Sequence, residues 1–160
     1  MKTITFITYH DYNEELAAAQ LARMLPESVY VDASWLCYSE PMHYSELTTF
    51  IIMDNLTHMV NNFILSGHYD HIIVNFPFDR PALIAQLANH VQLQDYQLML
   101  FALSNTTALE GVDNMELMNS EYECHYVKLD GGKLLRSSQI DTTNMSSFRI
   151  AKIIEGIILR

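Results

Sequence analysis

The chain has 160 residues, 49% of them hydrophobic, and nine Lys and Arg against nineteen Asp and Glu give a formal net charge of -10. This length fits one domain over residues 1–160, and the composition excludes a disordered or fibrous chain. The negative charge disfavours nonspecific binding to DNA, RNA or anionic lipid. Because the apolar runs are too short to cross a bilayer and no cleavable leader pattern is visible, we expect a cytoplasmic protein.

Four strand-like apolar runs follow one another along the chain, each separated from the next by a stretch of helix length. They span residues 3–8, 29–31, 71–75 and 97–103. This alternation predicts parallel strands joined by crossover helices. Within the last two runs, residues 72–74 and 98–101 are continuously apolar, as expected when helices cover both faces of a sheet. We therefore predict an α/β fold, a three-layer α/β/α sandwich with a mainly parallel sheet.

Two helices show apolar stripes at the spacing i, i+3, i+4, i+7, i+8, one starting at Leu56 and one at Ile150. Ser146 or Asn144 suits the cap of the last helix, and Gly67 suits the end of the first. After Leu103 the alternation weakens. Near residues 124–138, the segment "YVKLDGGKLL" predicts an antiparallel hairpin with a two-residue glycine turn.

Cysteine and histidine spacings do not predict a metal site. Cys37 and Cys124 lack paired C-x-x-C spacing, and the seven histidines form neither H-x-x-x-H nor H-E-x-x-H. His68 and His71 flank a turn, so we expect both at the surface.

Separated segments resemble one known family. "AAAQLARMLPESVYVDASW" is similar to a small-residue helix, turn and second strand, and "DNLTHMVNNFILSGHYDHIIVNF" to a long helix and third strand. "FALSNTTALEGV" resembles a fourth strand and the start of a lid, and "IDTTNMSSFRIAKII" the approach to a terminal helix. Together they resemble the P-loop kinases of the shikimate-kinase-like and nucleotide-kinase-like type. The resemblance implies a P-loop kinase-like fold and ATP with magnesium.

The phosphate loop of that family, G-x-x-x-x-G-K-S/T, is missing. Its glycines and helix start aim N–H groups at phosphate, its lysine reaches the terminal phosphates, and its hydroxyl binds magnesium. The corresponding segment is a degenerate phosphate loop without glycine or lysine, and Leu16 replaces the hydroxyl. Its residues are Tyr9, His10, Asp11, Tyr12, Asn13, Glu14 and Glu15.

The acidic residues of this loop have a simple structural interpretation. Asp11 or Asn13 caps the helix, and Glu14 and Glu15 favour the positive end of its dipole. The lid is also depleted of positive charge, because residues 110–123 contain no Lys or Arg. Cations beyond the hairpin, such as Lys133, reach a phosphate site only if the hairpin folds over it. We therefore expect no conventional ATP site.

The carboxyl ends of the second and third strands are the other candidate site, because ligands bind at this edge of open α/β sheets. The resemblance implies that Asp32 contacts an acceptor substrate or magnesium; a structural turn with a packed Trp35 is the alternative. Phe76 and Phe78 are candidates for a ligand or protein contact, and Arg80 for an anion or an ion pair. The ligand-binding candidates are Asp32, Trp35, Glu40, Phe76, Phe78 and Arg80.

These observations predict a degenerate P-loop kinase-like protein without phosphoryl transfer. It would bind a protein or small-molecule partner and could form a homodimer. The alternative is a divergent small-molecule or nucleoside kinase that uses ATP with magnesium and takes its missing positive charge from a partner.

Overall fold

The computed structural model describes residues 1–37, 45–76, 81–92, 95–104 and 124–160. Within these ranges six strands and four α-helices follow one another. The strands are β1 (Lys2–Thr8), β2 (Ser28–Asp32), β3 (His71–Phe76), β4 (Tyr96–Ser104), β5 (Cys124–Lys128) and β6 (Leu134–Asp141). The helices are α1 (Tyr12–Met24), α2 (Glu46–Ser66), α3 (Pro81–His90) and α4 (Ser147–Ile158).

All six described strands form one sheet in the order β2-β3-β1-β4-β6-β5. The first five strands in this order are parallel. β5, the last strand of the sheet, runs antiparallel to β6. The predicted α/β fold with a mainly parallel sheet is therefore confirmed. The parallel order brings the carboxyl ends of β1, β2 and β3 to one edge of the sheet.

Helices cover both faces of the sheet, as a three-layer sandwich requires. α1 and α4 pack on one face, over a core that includes Ile7, Leu21, Phe101 and Ile154. α2 and α3 pack on the other face, over a core that includes Phe6, Leu56, Val74 and Leu87. Successive strand residues point to opposite faces, so the continuously apolar strands contribute to both cores.

The helix ends follow the expected capping chemistry. Ser146 caps α4 by accepting a hydrogen bond from the Arg149 N–H. Gly67 ends α2 in the left-handed conformation, with φ 68°, which glycine adopts at the lowest cost. At the start of α2, Ser45 and Thr48 form a capping box.

The predicted hairpin is present as β5 and β6, but its turn is longer than two residues. Leu129 and Lys133 close the turn, and Asp130–Gly132 form a short 3-10 segment. The Lys133 ammonium donates to the Asn89 and Val91 carbonyl oxygens, at 3.3 and 3.0 Å. Lys133 thus lies at the carboxyl end of α3, near the amino end of β4, and away from the start of α1.

The expectation that His71 lies at the surface is wrong. His71 is the first residue of β3, and its side chain is buried. Its Nδ1 is 2.9 Å from the Thr3 hydroxyl. His68 precedes the strand and is exposed, as expected. Within the described ranges, no helix has the length and hydropathy needed to span a membrane.

Replacing Leu21 by Ala tests the core between α1 and α4. Leu21 is fully buried, so Leu21→Ala should lower the free energy of unfolding by about 2 to 5 kcal/mol. Leu159→Ala, at an exposed position, is the matched control and should change it by less than about 0.5 kcal/mol. Urea unfolding measures both. Equal losses of unfolding free energy in the two variants would contradict the burial of Leu21 between α1 and α4.

His71 should make the fold sensitive to acid. Burial lowers the pKa of His71, with a small further contribution from the N-terminal ammonium, although Asp70 acts in the opposite direction. As the pH falls below about 6.5, the unfolded chain takes up a proton at His71 more readily than the folded chain. The contribution of His71 to the free energy of unfolding is therefore fully present above this pH and declines as the pH falls below it.

We expect His71→Asn to lose less stability than the native chain between pH 7.5 and pH 5. The exposed His68→Asn variant should lose stability in parallel with the native chain. Urea unfolding at several pH values measures the slopes. A slope for His71→Asn equal to the native slope would show that His71 is not the titrating group.

Candidate functional site

The segment that corresponds to the phosphate loop connects β1 to α1 and places Asp11 at the helix N-cap. The Asp11 carboxylate accepts a hydrogen bond from the Glu14 N–H at 2.9 Å. This bond satisfies one of the N–H groups that a helix start leaves without a partner. Asp11 therefore has the predicted capping role.

Glu14 turns inward from the first turn of α1, and its side chain is fully buried. One carboxyl oxygen accepts a hydrogen bond from the His10 N–H at 2.7 Å. The other accepts from the Thr142 hydroxyl, which lies between β6 and α4. The Thr142 N–H donates to the Ser104 carbonyl oxygen at the end of β4. Glu14 thus ties the start of α1 to the ends of β4 and β6.

The other side chains of the loop differ in accessibility. His10, Tyr12 and Asn13 are exposed, Glu15 is half-buried, and Tyr9 is buried at the end of β1. The segment therefore divides into an outer side, formed by its middle residues, and an inner side, formed by Tyr9 and Glu14. The inner side contacts the sheet edge.

Asp32 is the centre of a second buried polar cluster, at the carboxyl end of β2. One of its carboxylate oxygens accepts from the Ser34 N–H at 2.8 Å and from the Ser34 hydroxyl at 2.5 Å. The other accepts from the Asn75 amide at 2.9 Å and from the Tyr30 and Tyr9 hydroxyls at 3.3 and 3.4 Å. These contacts join the ends of β1, β2 and β3.

The five donors occupy the hydrogen-bonding capacity of this carboxylate, which has about four lone-pair positions. A ligand hydroxyl could bond to Asp32 only by displacing a donor of the protein. The geometry therefore gives Asp32 a positioning role among three strands. It also caps the 3-10 turn Ala33–Leu36.

Both tyrosines of the cluster are held in the protonated form. Burial raises the pKa of Tyr9 and of Tyr30, and the nearby Asp32 carboxylate raises both further. A protonated phenol can donate to Asp32, whereas a phenolate would repel it. The cluster is consistent only with neutral tyrosines beside this carboxylate.

Two buried polar atoms at this edge have no partner among the described residues: the Asn75 side-chain oxygen and the Thr8 hydroxyl. Both belong to strands whose carboxyl ends form the edge. Within the described ranges, no three His, Cys, Asp or Glu side chains are grouped to hold a metal ion.

The remaining predicted residues are not brought together into one site. Trp35 is 65% exposed, and its ring lies perpendicular to that of Tyr30 at 5.4 Å between centroids, so it is not packed in the core. Phe76, a candidate for a ligand or protein contact, is fully buried because it points from β3 into the layer under α2 and α3. Glu40, Phe78 and Arg80 lie outside the described residues.

Three residues of these clusters were not predicted from the sequence: Tyr30, Asn75 and Thr142. Tyr30 lies two residues before Asp32 in a strand, so both side chains share one face. Asn75 is a polar residue near the end of an otherwise apolar strand, which was a usable signal. Thr142 had none, because it lies 128 residues from Glu14 and only the fold brings them together.

Two solved structures share this fold over nearly the whole chain. The crystal structure of APE1195 matches with a TM-score of 0.61 and 12% identity, covering 99% of this chain and 95% of that one. The tunicamycin resistance protein of Deinococcus radiodurans matches with a TM-score of 0.58 and 14% identity, covering 99% and 96%. No family model and no curated protein matches the chain. At these identities the similarity establishes the fold alone.

Removing the Asp32 carboxylate should destabilise the fold strongly. Asp32→Ala leaves Asn75, Tyr30 and the Ser34 N–H without their acceptor, and we expect a loss of about 3 kcal/mol or more in the free energy of unfolding. Asp95→Ala, at an exposed position, should cost less than about 0.5 kcal/mol. Urea unfolding compares them. A loss below about 1 kcal/mol for Asp32→Ala would contradict the positioning role.

Proposed function

We propose that this chain is a degenerate P-loop kinase-like domain that no longer transfers phosphate and acts as a non-catalytic binding protein. The observation that carries the proposal is the inward position of Glu14. Its carboxyl group accepts the N–H of His10, the residue before the N-cap of α1, where a bound phosphate would need free N–H groups. The protein's own side chain thus satisfies this donor.

A second donor at the same helix start is also taken, since Asp11 accepts the Glu14 N–H. A nucleotide phosphate would have to displace both side chains. It would then lie near the negative charges of Asp11 and Glu15. The segment 9–16 contains no Lys or Arg that could offset this repulsion. Two unit charges 4 Å apart repel by about 1 kcal/mol in water and by about 4 kcal/mol at an effective dielectric constant near 20. The residues present therefore do not fit a magnesium-bound nucleoside triphosphate.

The lysines whose contacts are described also lie elsewhere. Lys133 binds the carbonyl end of α3, and Lys152 pairs with Glu155 at 2.8 Å on α4. Lys2 lies 3.8 Å from Asp70, at the amino end of β1. The start of α1 is at the opposite edge of the sheet from Lys2. None of these three lysines is therefore placed to stabilise a transferring phosphoryl group at the start of α1.

Titration with Mg-ATP and Mg-GTP tests the proposal. We expect no heat of binding at millimolar nucleotide and no rise in Tm, because a ligand that binds only the native state must raise the Tm. Isothermal calorimetry and a thermal-shift scan measure the two quantities. The Glu14→Ala variant, measured in parallel, separates a filled site from one that is absent: weak binding by this variant alone identifies the Glu14 side chain as the obstacle.

Micromolar binding of either nucleotide to the native chain would overturn the proposal. It would support the alternative, a divergent kinase, and Asp32 would then be the first residue to examine for contact with an acceptor substrate.

A further inference from the structure

The outer face of α2 carries an apolar and charged stripe that the rest of the described chain does not cover. Leu47 and Leu65, near the two ends of the helix, are 68% and 62% exposed. Ile51 is also exposed, as are the side chains of Asp54 and His58. We call these five residues the α2 stripe.

The α2 stripe has the spacing of a helix-pairing seam. From Leu47 to Ile51, Asp54 and His58 the steps are four, three and four residues, and Leu65 follows seven residues later. Steps of three and four place side chains along one line of a helix, which is the pattern by which two helices pack side by side. α2 has 21 residues, so it spans about 31 Å at 1.5 Å per residue. This length is sufficient for a helix pair.

The stripe is also complementary to itself when reversed. Leu47 lies nine residues before Leu56 and Leu65 nine residues after it, while Asp54 lies two before and His58 two after. If two copies of α2 pack antiparallel through their outer faces, with the two-fold axis at the level of the buried Leu56, each Leu47 faces a Leu65 and each Asp54 faces a His58. A two-fold axis requires this reciprocity, in which residue i meets residue j and j meets i.

The polar pair at the centre has the chemistry for such a contact. Within one chain, His58 Nδ1 is 2.9 Å from the Asp54 carbonyl oxygen and 3.7 Å from its carboxylate. In the described part of the chain this leaves Nε2 for contact with a second copy. The Asp54 carboxylate is more than half exposed and can accept from it. Opposite groups would thus face each other twice across the axis.

We propose that the α2 stripe is the interface of a two-fold homodimer, with the α2 helices antiparallel. The occupant is a second copy of this chain, because both the Leu47–Leu65 pair and the Asp54–His58 pair match when the face is reversed, while Ile51 faces Asn61. Beside the stripe, Phe50 and Thr57 form a shallow groove with Gln86 and His90 of α3, which extends the contact surface. This interface lies away from the start of α1 and does not depend on the proposed loss of nucleotide binding.

Sedimentation of the full chain tests the dimer. We expect the native protein to sediment at twice its mass of 18.4 kDa at about 100 µM, a concentration at which weak specific interfaces are populated. Leu47→Glu should raise the dimer dissociation constant at least about tenfold, because it places a carboxylate against Leu65. Phe148→Glu, at an exposed position on α4, is the control and should leave the constant unchanged.

Two single substitutions test the antiparallel register itself. Asp54→Lys places a cation opposite His58, and His58→Glu places an anion opposite Asp54, so each variant alone should dimerise at least about tenfold more weakly. In an equimolar mixture the new lysine meets the new glutamate and the remaining His58 meets Asp54. We expect the mixture to recover a heterodimer with nearly native affinity.

A monomeric native chain at this concentration would overturn the proposal. So would a dimer that Leu47→Glu leaves intact, or two charge variants that fail to recover when mixed. Circular dichroism and Tm establish that each variant is folded; if one of the charge variants is not, the exposed Leu65→Lys replaces it, and an undiminished dimer then overturns the proposal.

Discussion

The hydrogen bonds of the Glu14 carboxyl group are the interaction on which the loop between β1 and α1 depends. A helix start leaves N–H groups without partners, and a buried N–H without a partner costs free energy. Glu14 satisfies the His10 N–H from inside the fold, while Asp11 satisfies the Glu14 N–H from the cap position. The second Glu14 carboxyl oxygen accepts a hydrogen bond from the Thr142 hydroxyl, so the loop, the end of β6 and the start of α1 are held together. In the P-loop kinases that the sequence resembles, N–H groups at the start of the helix bind phosphate instead.

The Asp32 cluster has a comparable effect at the neighbouring strands. The Asp32 carboxylate accepts hydrogen bonds from side chains of β2, of β3 and of the residue after β1. The two clusters lie at the edge where open α/β sheets bind ligands, and in both a carboxyl group bonds mainly to the protein itself. The edge is therefore ordered by internal contacts. These internal contacts are consistent with the non-catalytic binding role that we propose.

The strands and the helices α2 and α4 were predictable because the patterns of their buried apolar residues are local and strong. The predicted runs 3–8 and 71–75 differ from β1 and β3 by one residue at one end. The layer assignment followed from continuous apolar strands, which need cover on both faces. Ser146 and Gly67 were identifiable as caps because capping chemistry depends on a few adjacent residues.

The side-chain environment of the site was less predictable, since it depends on contacts between distant segments. Phe76 looked like an edge residue, yet strand alternation directs it into the layer under α2 and α3. His71 looked like a turn residue, but it begins β3 and is buried beside Thr3. Nothing near Glu14 in the sequence indicates Thr142. The fold decides whether an acidic side chain near a helix start caps it from the surface, as Asp11 does, or is buried and bonds to an N–H group from inside, as Glu14 does.

A crystal structure at high resolution, from crystals grown with millimolar Mg-ATP, would show directly whether the Glu14 side chain takes the place of a phosphate. We expect a Glu14 carboxyl oxygen within hydrogen-bonding distance of the His10 N–H and no phosphate density at the start of α1. A triphosphate bound there, with the Glu14 side chain turned out to solvent, would contradict it.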